Sequence, residues 1–326
     1  MTPKIEVMLN GDQDLSSKLN PRVLTCEVNL TDGQSADTMS LTLSNFDGKL
    51  AKPAHGATLT VSMGFEETGL AALGTFIVQE VTKVGAAATF EISAHAADLK
   101  KSLKAQKTRS WIKGETLGAI VNQIATDNQL TPAISAGLAA LVPGPVYQSV
   151  ESDMHLVTRL AALFGAVGKP IDGHLVFAEK GSGQASSGAA LTSIEITPND
   201  LEGDFKIGAK DRPHRGKVKA SHYDRATAKR TEVSEGTGDG PDYTIPRVFP
   251  NSATAQRACK ARLGDFGRAE KHFTGSFKTG DNRAKPGAVL VSKNFGDDDD
   301  GEWTIKKVTH SYSDGYVTKF EAQTKK

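Results

Sequence analysis

The decapeptide GTFIVQEVTK (Gly74–Lys83) is answered by GEWTIKKVTH (Gly301–His310) far along the same chain. Aligned without gaps, Gly74 falls on Gly301, Phe76 on Trp303, Val78 on Ile305, Val81 on Val308 and Thr82 on Thr309, at a constant offset of 227 (301 − 74 = 227). The likeness extends both ways. Upstream, HGATLTVSMGF (His55–Phe65) answers PGAVLVSKNF (Pro286–Phe295), pairing Gly56 with Gly287, Ala57 with Ala288 and Leu59 with Leu290. Downstream, TFEISA (Thr89–Ala94) answers TKFEAQ (Thr318–Gln323), with Phe90 on Phe320 and Glu91 on Glu321 after a hairpin loop three residues longer. Loops absorb such small changes of offset. Three matches in one order mean an internal duplication. Its period is far too long for a solenoid, so the chain holds two copies of one domain.

The copies read as β-structure. In MSLTLS (Met39–Ser44), Met39, Leu41 and Leu43 share one face, and in LTVSMGF (Leu59–Phe65) so do Leu59, Val61, Met63 and Phe65. That period of two marks half-buried antiparallel strands. NFDGKL (Asn45–Leu50) and VGAAAT (Val84–Thr89) supply turns. Strands and turns at this spacing suit a small barrel or sandwich.

Between the copies the period changes. Leu117, Ile120, Val121 and Ile124 fall at i, i+3, i+4 and i+7, one face of a helix. Ser152 is placed to cap a second helix with Leu156, Leu160, Leu163 and Phe164 inside. Asp172-Gly173 within PIDGHLVF (Pro170–Phe177) signals a hairpin, and GSGQASSG (Gly181–Gly188) a flexible surface loop. Further on, VKASHYDRATAKRTEVS (Val218–Ser234) reads as a hairpin, GTGDGPDY (Gly236–Tyr243) as a loop, and Ala255, Cys259, Leu263 and Phe266 as the inner face of a helix starting at Asn251 or Ser252. The expected organisation is mainly β with an α+β insert: a first β-barrel domain over 1–105, a small α+β module over 106–190, and a second β-barrel domain over 191–326 carrying one helix near 252–268.

Composition narrows the function. Lys plus Arg number 39 against 38 Asp plus Glu, so the chain lacks the basic footprint of a nucleic-acid binder. Cys26 and Cys259 form no CxxC, which argues for a reducing compartment and against a disulfide scaffold. The first twenty residues contain no signal-peptide core, and AISAGLAALVPGPV (Ala133–Val146) is too short and too broken by Gly and Pro to span a bilayer. No targeting or membrane-insertion signal is expected.

No catalytic constellation emerges. The eight histidines (His55, His95, His155, His174, His214, His222, His272 and His310) show neither HxH nor HExxH nor other metal-ligand spacing. His222 and Asp224 share a strand face by default, which does not make a catalytic pair. GSGQASSG lacks the spacing and strand-to-helix context of a dinucleotide loop. The run DDDDGE (Asp297–Glu302) lacks the alternating ligands of a calcium loop and reads as a solvated tip or, secondarily, an acidic contact surface. The basic stretches KKSLKAQKTR (Lys100–Arg109) and Lys206–Arg230 contain only Tyr223 as an interleaved aromatic, so junction or interface roles fit better than single-strand binding. Cys259 reads as a small buried hydrophobe. No catalytic, cofactor-binding or metal-binding residue is assigned, and no cofactor is expected.

A resemblance then emerges from the order of elements. SADTMSLTLSNFDGKL (Ser35–Leu50), GTFIVQEV, ETLGAIVNQIA (Glu115–Ala125), DMHLVTRLAALFGA (Asp153–Ala166), DGHLVFAE (Asp172–Glu179), AQRACKARLGDFGRAEKHFTGSF (Ala255–Phe277), PGAVLVS and GEWTIKKVTHSYSDGYVTKFEA run the length of the chain. Together they resemble the late-control D family of contractile-tailed phages, the baseplate hub proteins. They are also similar to the N-terminal hub part of the valine-glycine repeat spike of type VI secretion.

The resemblance implies two β-barrel tube domains per chain and three chains in a ring, so that a threefold assembly presents six similar barrels. One face of that ring would meet the hexameric tail tube and the other the trimeric central spike. Baseplate wedge proteins are further implied partners, and a tape-measure protein another. The implied location is the virion tail baseplate, reached from the host cytoplasm during assembly. Symmetry makes the duplication meaningful, because a trimer matches a hexamer only if each subunit shows two near-equivalent surfaces. A lumen near neutral or acidic would let DNA pass without sticking. A tailocin hub or another contractile injection system shares the ring. No β-helix or valine-glycine repeat follows residue 326, so no fused spike is expected. A cell-wall-binding or hydrolysing tail protein is the alternative from another class, since ETLGAIVNQIA resembles a LysM helix; a lytic band on a cell-wall zymogram would support it.

Overall fold

The computed structural model describes residues 1–32, 37–85, 88–96, 101–112, 114–171, 173–180, 193–209, 216–224, 227–238, 240–268 and 271–325. The chain opens with β1 (Pro3–Leu9) and α1 (Gln13–Leu19), continues through β2 (Val23–Thr31), β3 (Thr38–Ser44) and β4 (Thr58–Phe65), and ends its first repeat with β5 (Gly69–Val84) and β6 (Thr89–Ala96). The middle holds α2 (Lys101–Lys104), β7 (Gln106–Trp111), α3 (Leu117–Asp127), β8 (Thr131–Ile134), α4 (Ala136–Ala139), β9 (Val146–Ser152), α5 (Asp153–Phe164), β10 (Ala166–Ile171) and β11 (His174–Glu179). After β12 (Ile194–Ile196) and β13 (Lys206–Ala209) come β14 (Val218–Asp224), β15 (Lys229–Glu235), β16 (Tyr243–Phe249) and α6 (Ser252–Arg268). The chain closes with β17 (Lys271–Phe277), β18 (Val289–Ser292), β19 (Gly301–Tyr312) and β20 (Tyr316–Thr324).

Two compact units result. The first joins Met1–Leu99, Thr192–Ile207 and Phe273–Ala322; the second joins Lys100–Leu191, Gly208–His272 and Gln323–Lys326. The first contains a twelve-stranded sheet in which the strand order β4-β5-β6-β3-β2 is followed by β19-β20-β17-β13, with β18 pairing β19. The alternating faces read from the sequence point inward: Met39, Leu41, Leu43, Leu59, Val61 and Met63 are buried with Phe76, Val78 and Ile92 in one core.

The second unit has its own core, built where the helical faces meet. Leu117, Ile120, Val121 and Ile124 of α3 pack with Leu156, Leu160 and Phe164 of α5. Thr116 caps α3 by accepting Ala119 N–H, and Ser152 caps α5 by accepting His155 N–H, while Gly165 ends α5 at φ +65°. Strands β10 and β11 form the expected hairpin, joined between Ile171 and His174. The loop read in GSGQASSG lies outside the described residues.

The units divide the chain differently from the expected boundaries. Strands of both copies, expected in separate domains over 1–105 and 191–326, share one sheet in one unit. The stretch Gly208–His272, expected with the second copy, packs instead with the module. Its helix α6 explains why. Ala255, Ala258 and Cys259 need an apolar partner, and they enter the core of α3 and α5. Thr254 Oγ1 donates to the Val142 carbonyl at 3.0 Å, Arg257 Nε donates to the Phe164 carbonyl at 3.2 Å, and Lys180 pairs with Asp265 at 3.2 Å. In the first repeat β2 leads into β3 with no such insertion.

Candidate functional site

The sheet edges are the first surfaces to consider, because an unpaired strand edge is a template for another strand. The two repeats build their strands with the same bonds. In the first, Gly56 N–H donates to Val78 C=O at 3.0 Å and Val78 N–H to Ala57 C=O at 2.9 Å; in the second, Gly287 N–H donates to Ile305 C=O at 2.8 Å and Ile305 N–H to Ala288 C=O at 3.0 Å. The paired glycines share their unusual backbone, with φ +83° and +85° at Gly56 and Gly287. Only glycine adopts such angles at little cost, which is why both copies keep it. Phe76 and Trp303 are both buried, as are Val78 and Ile305, and Leu59 and Leu290.

Strand order repeats as well. The series β4-β5-β6-β3-β2 corresponds to β18-β19-β20-β17-β13. The outer strands differ in direction, since β1 runs antiparallel to β4 and β12 parallel to β18.

The repeats are joined edge to edge. Strand β18 covers β19 only over Gly301–Thr304, and β2 of the first repeat continues along the same side, antiparallel, from Lys307↔Thr31 to Tyr312↔Cys26. Thr309 Oγ1 donates to Asn29 Oδ1 at 2.7 Å across this seam, and Asp32 N–H donates to the Lys306 carbonyl at 2.6 Å. The corresponding stretch of the first repeat, by the 227-residue offset, is Glu80–Gly85 (307 − 227 = 80), of which Glu80–Val84 belongs to β5. There β4 has already ended, pairing no further than Ile77, and β6 holds only the other side. At the far end of the sheet β13 pairs with β17 alone among the described residues. Among the described residues two strand edges therefore stand open at quasi-equivalent places: one that receives, at Glu80–Val84, and one that offers, at β13. An unpaired edge is a template for another strand.

The sequence carries a signal for this seam: the match of GTFIVQEVTK to GEWTIKKVTH runs on past the strands that cover its start.

The chemical candidates from the sequence take structural places. Asp224 accepts the Thr227 hydroxyl at 2.8 Å in the β14–β15 turn, and His222 lies buried opposite Thr231. In the acidic run, Asp300 accepts the N–H groups of Asn294 at 2.9 Å and Phe295 at 2.8 Å, so this aspartate closes a turn. Among the described residues no cluster of three or more His, Cys, Asp or Glu is placed to hold a metal. Lys107 and Arg109 of the basic junction converge on Asp153. Cys26 and Cys259 are buried thiols whose pKa burial pushes up, to about 12 and about 11, which leaves them protonated and unreactive.

Comparison with known proteins agrees with this architecture. Residues 36–316 match the family model described as phage tail baseplate hub (GPD). A probable baseplate hub protein of Escherichia phage P2 is 30% identical, over 100% of this chain and 94% of that relative. The tail protein of Neisseria meningitidis MC58 superposes with a TM-score of 0.70 at 14% identity, covering 99% of this chain and 97% of the other. A component of the Escherichia coli type VI secretion system superposes with a TM-score of 0.58 at 13% identity, covering 94% and 74%. The two superpositions share the fold; the family match and the phage P2 relative go further, and place this chain in the phage tail baseplate hub family.

Proposed function

We propose that three copies of this chain form a closed ring in the tail baseplate, joining the hexameric tail tube on one face to the trimeric central spike on the other. The observation that carries it is the seam between β2 and β19. It shows how one repeat docks on the next, and it leaves one unused edge of each kind. If β13 of one chain meets Glu80–Val84 of its neighbour as β2 meets β19, these two edges are paired and the ring closes with two similar barrels per chain. Strand order is the same in both repeats, so the joints within and between chains are quasi-equivalent. The number three comes from the family resemblance. Wedge and tape-measure proteins would contact the same assembly, which forms in the host cytoplasm. A tailocin or other contractile injection system would use the same ring. The role is mechanical, with no catalytic step assigned to any residue.

The exposed side of these strands suits a passage. Thr25, Ser40, Thr82 and Ser93 are exposed there beside Glu27 and Glu91. On the same side of the second repeat Lys307 pairs with Glu321 at 3.5 Å, and small hydroxyl side chains with mixed charge give a passing polyanion little to hold.

Light scattering of the purified chain, alone and with the spike, tests the ring. A trimer in either sample is expected. Hydrogen exchange adds the location: amides of Lys307–Tyr312 are expected to be protected in monomer and oligomer alike, while those of Glu80–Val84 that point away from β6 gain protection only on assembly. A monomer in both samples, or a trimer whose Glu80–Val84 amides exchange as in the monomer, would refute this edge-paired ring.

A further inference from the structure

The seam inside the chain and the open edge of β5 differ at one place that the seam buries. His310 of β19 lies opposite Val28 of β2, and both side chains are fully buried. The 227-residue offset carries His310 onto Lys83 (310 − 227 = 83). The equivalence holds for side-chain direction as well as for position. Val81 and Val308, two residues earlier, are both buried. Lys83 lies opposite Phe90 and Val81 opposite Ile92, and both partners on β6 are buried. Side chains alternate along a strand, so Lys83 leaves β5 on the core side of the sheet, as His310 leaves β19. Lys83 is nonetheless exposed, because β4 ends before it and no described strand pairs that edge.

The strand proposed to cover this edge has nothing to offer an ammonium group on that side. β13 holds Lys206–Ala209, none of them acidic. Phe205, just before it, is 39% exposed and sets its ring 5.1 Å from that of Phe295 and 6.2 Å from that of Phe273, which is fully buried. That marks the core side. Asp204 lines a cleft with Lys206, Thr274 and Lys307 on the opposite, polar side. Phe205 and Ile207 are therefore the side chains that a covering joint brings to the side of Lys83. Lysine is almost never fully buried unless paired, and taking an ammonium group out of water without a partner is costly. Closing the joint must strip water from Lys83 or bend its stem out past the end of the strand. Charged side chains on edge strands, lysine above all, and charges that point inward keep an unpaired edge from taking a strand.

We infer that Lys83 is a gate on assembly: it holds the β5 edge against β13 of a second copy of this chain, so that the joint between chains is weak by itself while the seam within the chain, with His310 in the same place, stays closed. This rests on the ring reading above and adds which residue sets the strength of its joints. A further component bound across the joint supplies what the edge withholds, and the ring closes where that component is present.

The test follows the mass of the full chain by light scattering over a dilution series, alone and with the spike protein. Lys83→Met keeps the length of the side chain and removes its charge. It should tighten self-association by roughly tenfold or more, and protect the amides of Glu80–Val84 that point away from β6 at concentrations where the wild type leaves them exchanging. Lys83→Arg keeps the charge and should associate no more tightly than the wild type. Lys18→Met, at an exposed position of α1, should leave the mass curve unchanged. The gate is overturned if Lys83→Met associates as the wild type does or more weakly, if Lys83→Arg tightens as much as Lys83→Met, or if Lys18→Met tightens equally. In each of these cases a wild-type trimer protected at Glu80–Val84 leaves the ring reading standing. A trimer unprotected at Glu80–Val84, or no trimer from any variant in either sample, brings down the ring reading and the gate with it.

Discussion

Replacing Asp153 tests how the second unit is held together. Asp153 is fully buried at the start of α5. Four donors converge on its carboxylate: Lys107 Nζ and Arg109 Nη2 at 2.6 Å, Asn128 Nδ2 and Gln148 Nε2 at 2.8 Å. Burial alone would raise its pKa, yet the hydrogen bonds from Lys107, Gln148 and Asn128 and the charge of Arg109 outweigh burial and hold it below the ordinary carboxylate value. Removing one partner of a buried pair costs about 3–5 kcal/mol. Lys107 and Arg109 remain 30% and 20% exposed and regain some hydration, which puts Asp153→Ala at the lower end. With a urea slope of about 2 kcal/mol per molar, about 3 kcal/mol moves the midpoint by about 1.5 M. The two tryptophans separate the units, since Trp111 lies in the core of the second and Trp303 is buried in the first. Followed by Trp111 fluorescence in a Trp303→Phe background, the transition should fall by that amount. Followed by Trp303 in a Trp111→Phe background, it should stay. A Trp111 midpoint within about 0.3 M of the parent, or an equal fall at Trp303, would refute the reasoning.

Two further outcomes are expected in the first unit. His310 is fully buried, with Nε2 3.1 Å from the Ala284 carbonyl and Nδ1 2.8 Å from the Tyr316 hydroxyl; burial lowers its pKa to about 4. The unfolded chain binds the proton more readily, so stability read at Trp303 should fall as pH drops from about 6.5 towards 4, by about 3 kcal/mol in all, and a His310→Gln variant should lose most of that slope; a flat profile in the parent would sink the idea. A methyl group at Gly64 would lie 2.2 Å from the Gly69 carbonyl oxygen, whereas one at Gly85 would meet nothing within 4 Å. Gly64→Ala should therefore cost about 2 kcal/mol or more by overpacking, and Gly85→Ala close to nothing; equal melting temperatures for the two would contradict the packing.

Periodicity made the elements legible. Leu59, Val61 and Met63 alternate and are buried; Leu117, Ile120, Val121 and Ile124 step at helical spacing and are buried. The duplication was legible because core residues and obligatory glycines tolerate little change. What stayed hidden was long-range. No local pattern says that α6 leaves its own copy to pack beside α5, because an apolar face specifies burial and not the partner. Nor does a strand announce which neighbour its edge will take, so the seam of β2 on β19 had to be seen. NFDGKL read correctly as a turn, but a turn motif does not say whether its phenylalanine points in or out.

The two repeats diverge where a ring would need them to. A homotrimer meeting a sixfold tube on one face requires likeness there, and the parts that stayed alike are the strand order, the hydrogen bonds around Gly56 and Gly287, and the buried residues behind them. The same trimer meeting a threefold partner on another face requires a difference between repeats, since identical repeats would present six equal sites to three subunits. Differences are present: the insertion between β13 and β17, and the reversed direction of β12 relative to β1. The insertion packs α6 into the core of the second unit, so it can vary without disturbing the sheet.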